Sequence, residues 1–187
     1  MGVAVTFSGR EVESFGISQF LERQKSEAKA ASQVLVYDWR DSHDFIVELK
    51  TRSKSDRLIL AKIPPDRTLV ETAATVQSRL QRSKPGSMQQ DADLFVPVID
   101  FDVLRRYHEL LGKDSPLAMS LQQIRFKLNE RGAVLRSEAL AVTGLTRQNL
   151  VFDEPFLVMI QRTDASQPYF ALWVGNAELL VPFQARK

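Results

Sequence analysis

Apolar and polar residues alternate at period two through most of the chain, and that alternation predicts strands. Gln33–Trp39 places Val34, Val36 and Asp38 on one side and Leu35, Tyr37 and Trp39 on the other. Phe45–Thr51 alternates in the same way, while Arg57–Ile63 contains Leu58-Ile59-Leu60-Ala61, apolar on both faces. A run of that kind predicts a central strand buried from both sides. The polar links 40–44 and 52–56 are short enough for hairpins, and Pro64-Pro65 stops the third strand. Further strands are predicted at Val3–Phe7, Asp93–Ile99 and Leu121–Leu128, the last with Ile124, Phe126 and Leu128 on one face. Three more, Leu150–Gln161, Pro168–Gly175 and Glu178–Phe183, close the chain.

Helical signals are fewer. Thr68-Leu69-Val70-Glu71 is a capping box, in which the threonine hydroxyl accepts from the amide three residues on and the glutamate reaches back. The helix it starts should run to about Arg82, with Lys84-Pro85-Gly86 ending it. Gly16–Ala31, with Ile17, Phe20 and Leu21 ahead of charged residues and alanines, predicts a second helix. Asp102 is placed to cap a third, with Val103, Leu104, Tyr107, Leu110 and Leu111 on one face and Gly112 after its end. The expected class is α+β: predominantly antiparallel β sheets with two or three helices, in one domain over 1–187.

Asn129–Asn149 departs from both periods and holds two glycines. It is long for a connection, and long connections without structure of their own tend to carry function.

Composition narrows the chemistry. There are no cysteines, so disulfides, thiolate catalysis and cysteine-based metal sites are excluded. The net charge is +2 and no basic patch stands out, which argues against nucleic acid as the main partner. No stretch reaches the ~20 apolar residues of a membrane helix, so no membrane partner is expected. Residues 1–15 lack the charged and apolar blocks of a signal peptide; the expectation is a cytoplasmic protein if the chain is complete, with secretion open if it is a fragment. His43 and His108 stand alone and read as solvated; Asp38, Asp41 and Asp44 read as a polar turn; Arg52–Arg57 reads as a charged hairpin tip. There is no phosphate-binding loop, dinucleotide fingerprint or nucleophile elbow, so no enzyme activity, cofactor or metal is expected.

The closing stretch carries a specific pattern. Leu150-Val151-Phe152-Asp153-Glu154-Pro155-Phe156-Leu157-Val158-Met159-Ile160 resembles the signature of the serpins, a family of protease inhibitors, at Phe152, Asp153, Pro155, Phe156 and Leu157. Glu154 stands where that family usually has a basic or small polar residue. Tyr169–Asn176 is similar to the last serpin strand, with Leu172 in place of a glycine and Ala177 in place of a proline. Asn129-Glu130-Arg131-Gly132-Ala133 resembles the hinge at the start of the reactive-centre loop. The resemblance runs from about Val34 to the end and corresponds to the C-terminal half of a serpin, without the N-terminal helical half.

What the resemblance implies is a bait loop. Its hinge would be Asn129, Glu130, Gly132 and Ala133, and its scissile region Thr146, Arg147 and Gln148, with Arg147 suited to a trypsin-like serine protease. After cleavage, a serpin loop inserts into a sheet as an extra strand. Here Arg136 and Glu138 would have to face solvent in such a strand, because burying an unpaired charge costs several kcal/mol. The implied partners are a protease and a second chain or the missing half. The alternative is a serpin-derived structural or interaction module without inhibitory activity.

Overall fold

A computed structural model describes residues 3–18, 31–89, 92–106, 121–128 and 148–184, with backbone alone at both ends of the first stretch and over 103–106 and 121–125. Twelve strands and one α-helix described over its whole length lie in these segments.

Six strands make the larger sheet, in the order β12-β11-β5-β4-β3-β6. They are β3 (Val34–Asp41), β4 (Asp44–Lys50), β5 (Asp56–Lys62), β6 (Gly86–Ser87), β11 (Phe156–Arg162) and β12 (Pro168–Val174). All of its pairings are antiparallel. β5 lies at the centre between β4 and β11, as its two apolar faces require. Leu58 and Leu60 enter one core, and Ile59 and Ala61 enter another on the opposite face. β11 divides in the same way, Phe156 and Val158 to one side, Leu157 and Met159 to the other.

The second core lies under helix α1 (Leu69–Arg82), which buries Ala73, Val76 and Leu80 against this sheet. Thr68 caps the helix by accepting from the Glu71 amide at 3.2 Å, and its hydroxyl donates to the Glu71 carboxylate at 3.0 Å. Arg79, 6 % exposed, reaches from the helix to Asp38 at 2.7 Å and Asp44 at 2.5 Å. Those two carboxylates thus tie the helix to β3 and β4.

The first core fills the space between the large sheet and a four-stranded one, β1-β2-β7-β10. Its strands are β1 (Val3–Phe7), β2 (Arg10–Ser18), β7 (Asp93–Pro97) and β10 (Asn149–Val151). β10 runs parallel to β7, while the other pairings are antiparallel. A two-stranded ribbon, β8 (Ile99–Arg106) with β9 (Leu121–Leu128), packs on the same core. Phe126 of β9 lies against Phe101 and stacks on Phe170 of β12 at 4.9 Å.

Several expectations are corrected. Gly16 and Ile17 belong to β2 and pair with Phe95 and Leu94, so the expected helix does not start there; residues 19–30 lie outside the described ones, and Ala31, the last residue of the expected helix, is helical. The residues 102–106 continue β8 instead of opening a helix, while 107–112 are outside the description. The predicted strand over 93–99 is two strands, because the chain passes from the four-stranded sheet to the ribbon at Val98. Leu150–Gln161 is likewise two strands, broken at 152–155 where Pro155 cannot donate. In place of a strand from Glu178, a 3-10 turn over Ala177–Leu179 is capped by Asn176. Leu180 and Pro182 then bridge singly to Ile99 and Val12. In β3 the alternation breaks between Val36 and Asp38, where the register shifts. That bulge turns Trp39 toward the first core and leaves Tyr37 and Asp38 on the helix side.

Candidate functional site

The hinge residues Asn129, Glu130, Gly132 and Ala133 and the scissile candidates Thr146 and Arg147 lie outside the described residues. What the structure describes is the two ends that hold segment 129–147. Its entry is the end of β9, where Leu128 sits opposite Ile99 and is buried. Its exit is Gln148, just before β10, beside the start of β7. Those ends belong to different sheets. From Asp93 to Ile99 the extended chain advances about 20 Å, so the ends are held about that far apart. The segment between them could stretch to roughly 65 Å, so it has ample slack.

The exit is firmly built. Gln148 is 6 % exposed. Its side-chain Oε1 accepts from the Gln89 amide at 3.2 Å, and its carbonyl accepts from the Asp93 amide at 3.3 Å. Asn149, Leu150 and Val151 then run beside Asp93, Leu94 and Phe95. Gln148 was expected in an exposed loop reaching to Asn149. It is instead packed into the body of the molecule, and Asn149 is already in strand, because the β7 edge and the Gln89 amide supply partners for both.

Beyond β10 comes the signature segment. Phe152 and Phe156 are fully buried, 5.0 Å apart, with Phe45 against the first and Phe7 against the second. Leu157 is buried on the opposite face under α1. Phe152 and Phe156 thus join the two larger sheets, between Phe45 of the large one and Phe7 of the four-stranded one, while Leu157 faces the other core. The Asp153 carbonyl accepts from the Ser8 amide at 3.2 Å, which adds the β1–β2 turn to this junction.

An ionic cluster sits on the same link. Lys62, 2 % exposed, donates to Asp153 Oδ1 at 2.5 Å and to the Val151 carbonyl at 3.1 Å, and lies 3.5 Å from Glu154 Oε2. His43 Nδ1 meets that same Glu154 oxygen at 2.8 Å. The His43 hydrogen bond, and then the Lys62 charge, hold the Glu154 carboxyl below its ordinary range, with partial burial opposing them. His43 is exposed but has a partner here, and His108 lies outside the described residues. The Lys62 anchor was missed in the sequence. Its signal was a single charge inside the apolar run 58–63, with two acids following Phe152 to receive it.

The remaining charged candidates have structural partners. Asp38 and Asp44 bind Arg79, and Asp41 accepts from the His43 amide at 2.7 Å. At the 52–57 hairpin, Ser53 donates to Asp56 at 2.7 Å, while Arg57 meets Glu48 at 2.8 Å and Tyr37 at 2.8 Å.

Neither a family model nor a characterised protein matches the sequence itself. The fold does match solved structures. Mouse protein-Z dependent protease inhibitor aligns with a TM-score of 0.60 and 15% identity, over 94% of this chain and 49% of that one. Thyroxine-binding globulin, in a complex with thyroxine, aligns with a TM-score of 0.56 and 12% identity, over 94% of this chain and 50% of that one. Both are serpins, inhibitors or binding proteins in class, and the chain spans about half the length of each. The mostly antiparallel sheets and single described helix have the fold of a serpin's C-terminal part.

Proposed function

We propose that the chain is a serpin-type protease-binding module that offers segment 129–147 as bait to a trypsin-like serine protease. One observation carries the reading: the segment connects the end of β9 to β10, two strands in separate sheets, and both ends are buried and fixed. A protease cleft takes its substrate as an extended strand, and a long segment slung between fixed ends can meet it. Asn129, Glu130, Gly132 and Ala133 would be the hinge. Thr146, Arg147 and Gln148 would flank the scissile bond, with the Arg147 guanidinium directed to an acidic pocket. Among the described residues β9 pairs with β8 alone, and on this reading its other edge would take an added strand. The freed arm, a second chain or a further part of the same polypeptide can supply it.

The test is incubation with a trypsin-like protease, read on a denaturing gel and in a thermal melt. The expected result is a covalent adduct that survives denaturant and a higher melting temperature for the cut chain. Cleavage with neither would favour the second reading, a serpin-derived interaction module. That reading draws on Arg136 and Glu138, whose charges hinder insertion, and on the likeness to a protein bound to thyroxine.

A further inference from the structure

We infer that the outer edge of β12 is a self-association surface, at which two copies of the chain pair Phe170–Val174 antiparallel about a two-fold axis and join their six-stranded sheets into one.

Tyr169 to Val174 carry no charge, and among the described residues β12 pairs with β11 alone. The strand is apolar on both faces: Phe170 and Leu172 turn toward the first core, Ala171 and Trp173 toward the second. A strand of that kind belongs inside a sheet, as β5 does. β12 is nevertheless accessible. Tyr169 is 60 % exposed, and Phe170, Ala171, Leu172 and Trp173 are each partly exposed. Edge strands that must stay unpaired carry charges, proline or bulges. The far side of the same sheet has such guards: past its two pairs with β6, β3 bulges twice and carries Asp38, Arg40 and Asp41. On β12 the proline and the one bulge lie at its start, opposite Gln161, and Phe170–Val174 runs in regular register. One edge of the sheet is blunted and the other is left adhesive.

The occupant is a second copy because the strand complements itself. A two-fold axis perpendicular to the sheet at Leu172 sets Trp173 opposite Ala171 of the second copy, large against small. It sets Phe170 opposite Val174 of the second copy, an aromatic–β-branched pair of the kind that stabilises antiparallel strands. Leu172 meets its own copy on the axis. Each apolar face then continues across the seam, and the two-fold contact closes on itself without building a filament. The nearest charges along the chain, Asp164 and Glu178, fall outside the paired residues. A single strand pair is a small interface, so the dissociation constant should be roughly 1–100 μM.

The full chain is sedimented at concentrations across about 1–200 μM, and exchange of the β12 amides is compared at the two ends of that range. The expected result is a shift from monomer to dimer, with slower exchange over Phe170–Val174 at high concentration and no change in β5. Leu172→Lys and Leu172→Glu each put like charges on the axis and should weaken the dimer at least tenfold. An equimolar mixture of the two variants should recover it, because unlike charges then face each other. A parent that stays monomeric throughout would overturn the inference and leave the edge to a strand of other sequence. A dimer that both substitutions leave intact would overturn it too, as would a mixture no tighter than either variant alone. If a thermal melt shows that the variants do not fold, the parent decides: β12 amides that exchange equally fast at both concentrations would sink the proposal.

Discussion

Lys62 and Asp153 form one ion pair, but losing either partner should have unequal effects. Lys62 is 3 % exposed in its side chain and Asp153 44 %. Asp153→Ala leaves the ammonium buried with the Val151 carbonyl and a Glu154 oxygen 3.5 Å away. A charge-assisted hydrogen bond is lost and the remaining charge cannot reach water, which costs about 2–3 kcal/mol. Lys62→Met removes the same bond but leaves both carboxylates half in solvent, where they rehydrate. Its methyl end fits beside the Phe45 ring, over which the ammonium sits at 5.9 Å. The Val151 carbonyl loses one donor, so the net cost is about 1 kcal/mol. The double variant should resemble Lys62→Met, because removing Asp153 matters only while the buried charge is present. Urea unfolding at neutral pH measures all three. A Lys62→Met variant as unstable as Asp153→Ala, or a double variant equal to the sum, would refute the reasoning.

Arg79→Met should cost about 3 kcal/mol in the same assay, since it leaves the mostly buried Asp38 and Asp44 carboxylates with, among the described residues, the exposed Arg40 to offset them. Gly16→Ala should cost at least about 3 kcal/mol, because a Cβ there would lie 1.7 Å from the Leu94 carbonyl oxygen and the β2–β7 backbones would have to separate. Thr68→Ala should cost about 1 kcal/mol through loss of the helix cap, visible as a small fall in the urea midpoint. Glu154 has a folded-state carboxyl below its ordinary 4.5. The stability it adds is complete above that value and is lost as pH falls through the lowered one. Glu154→Gln should flatten the acid limb of a stability–pH curve in that range, by lowering the neutral plateau slightly while leaving stability at the acid end as in the parent.

The large sheet was the most legible part of the chain. β5 shows why: an apolar run with no polar face has to lie at the centre with cores on both sides. The capping box at Thr68–Glu71 was equally plain, because its bonds are local. The failures came where distant partners decide. Val103 and Leu104 fit a helical stripe as well as a strand, and pairing with β9 from Ile99–Leu128 to Arg106–Leu121 settles it. Gly16 reads as a helix border, yet it is there because the Leu94 carbonyl leaves no room for a side chain. The signature at Phe152–Leu157 was visible as a pattern, but its physical work, joining two sheets through Phe7 and Phe45, needs the fold. Gln148 looked like loop, since nothing local announces that the Gln89 amide, 59 residues away, will take its side chain.

The most direct test of the central claim is limited proteolysis under native conditions, with a trypsin-like and a chymotrypsin-like protease used in parallel. If the chain is a bait-presenting serpin-type module, the first cut by either enzyme falls within 129–147, and the flanking sheets stay intact long afterwards. First cuts in other connections, such as 51–55 or 163–167, with 129–147 left whole, would contradict it.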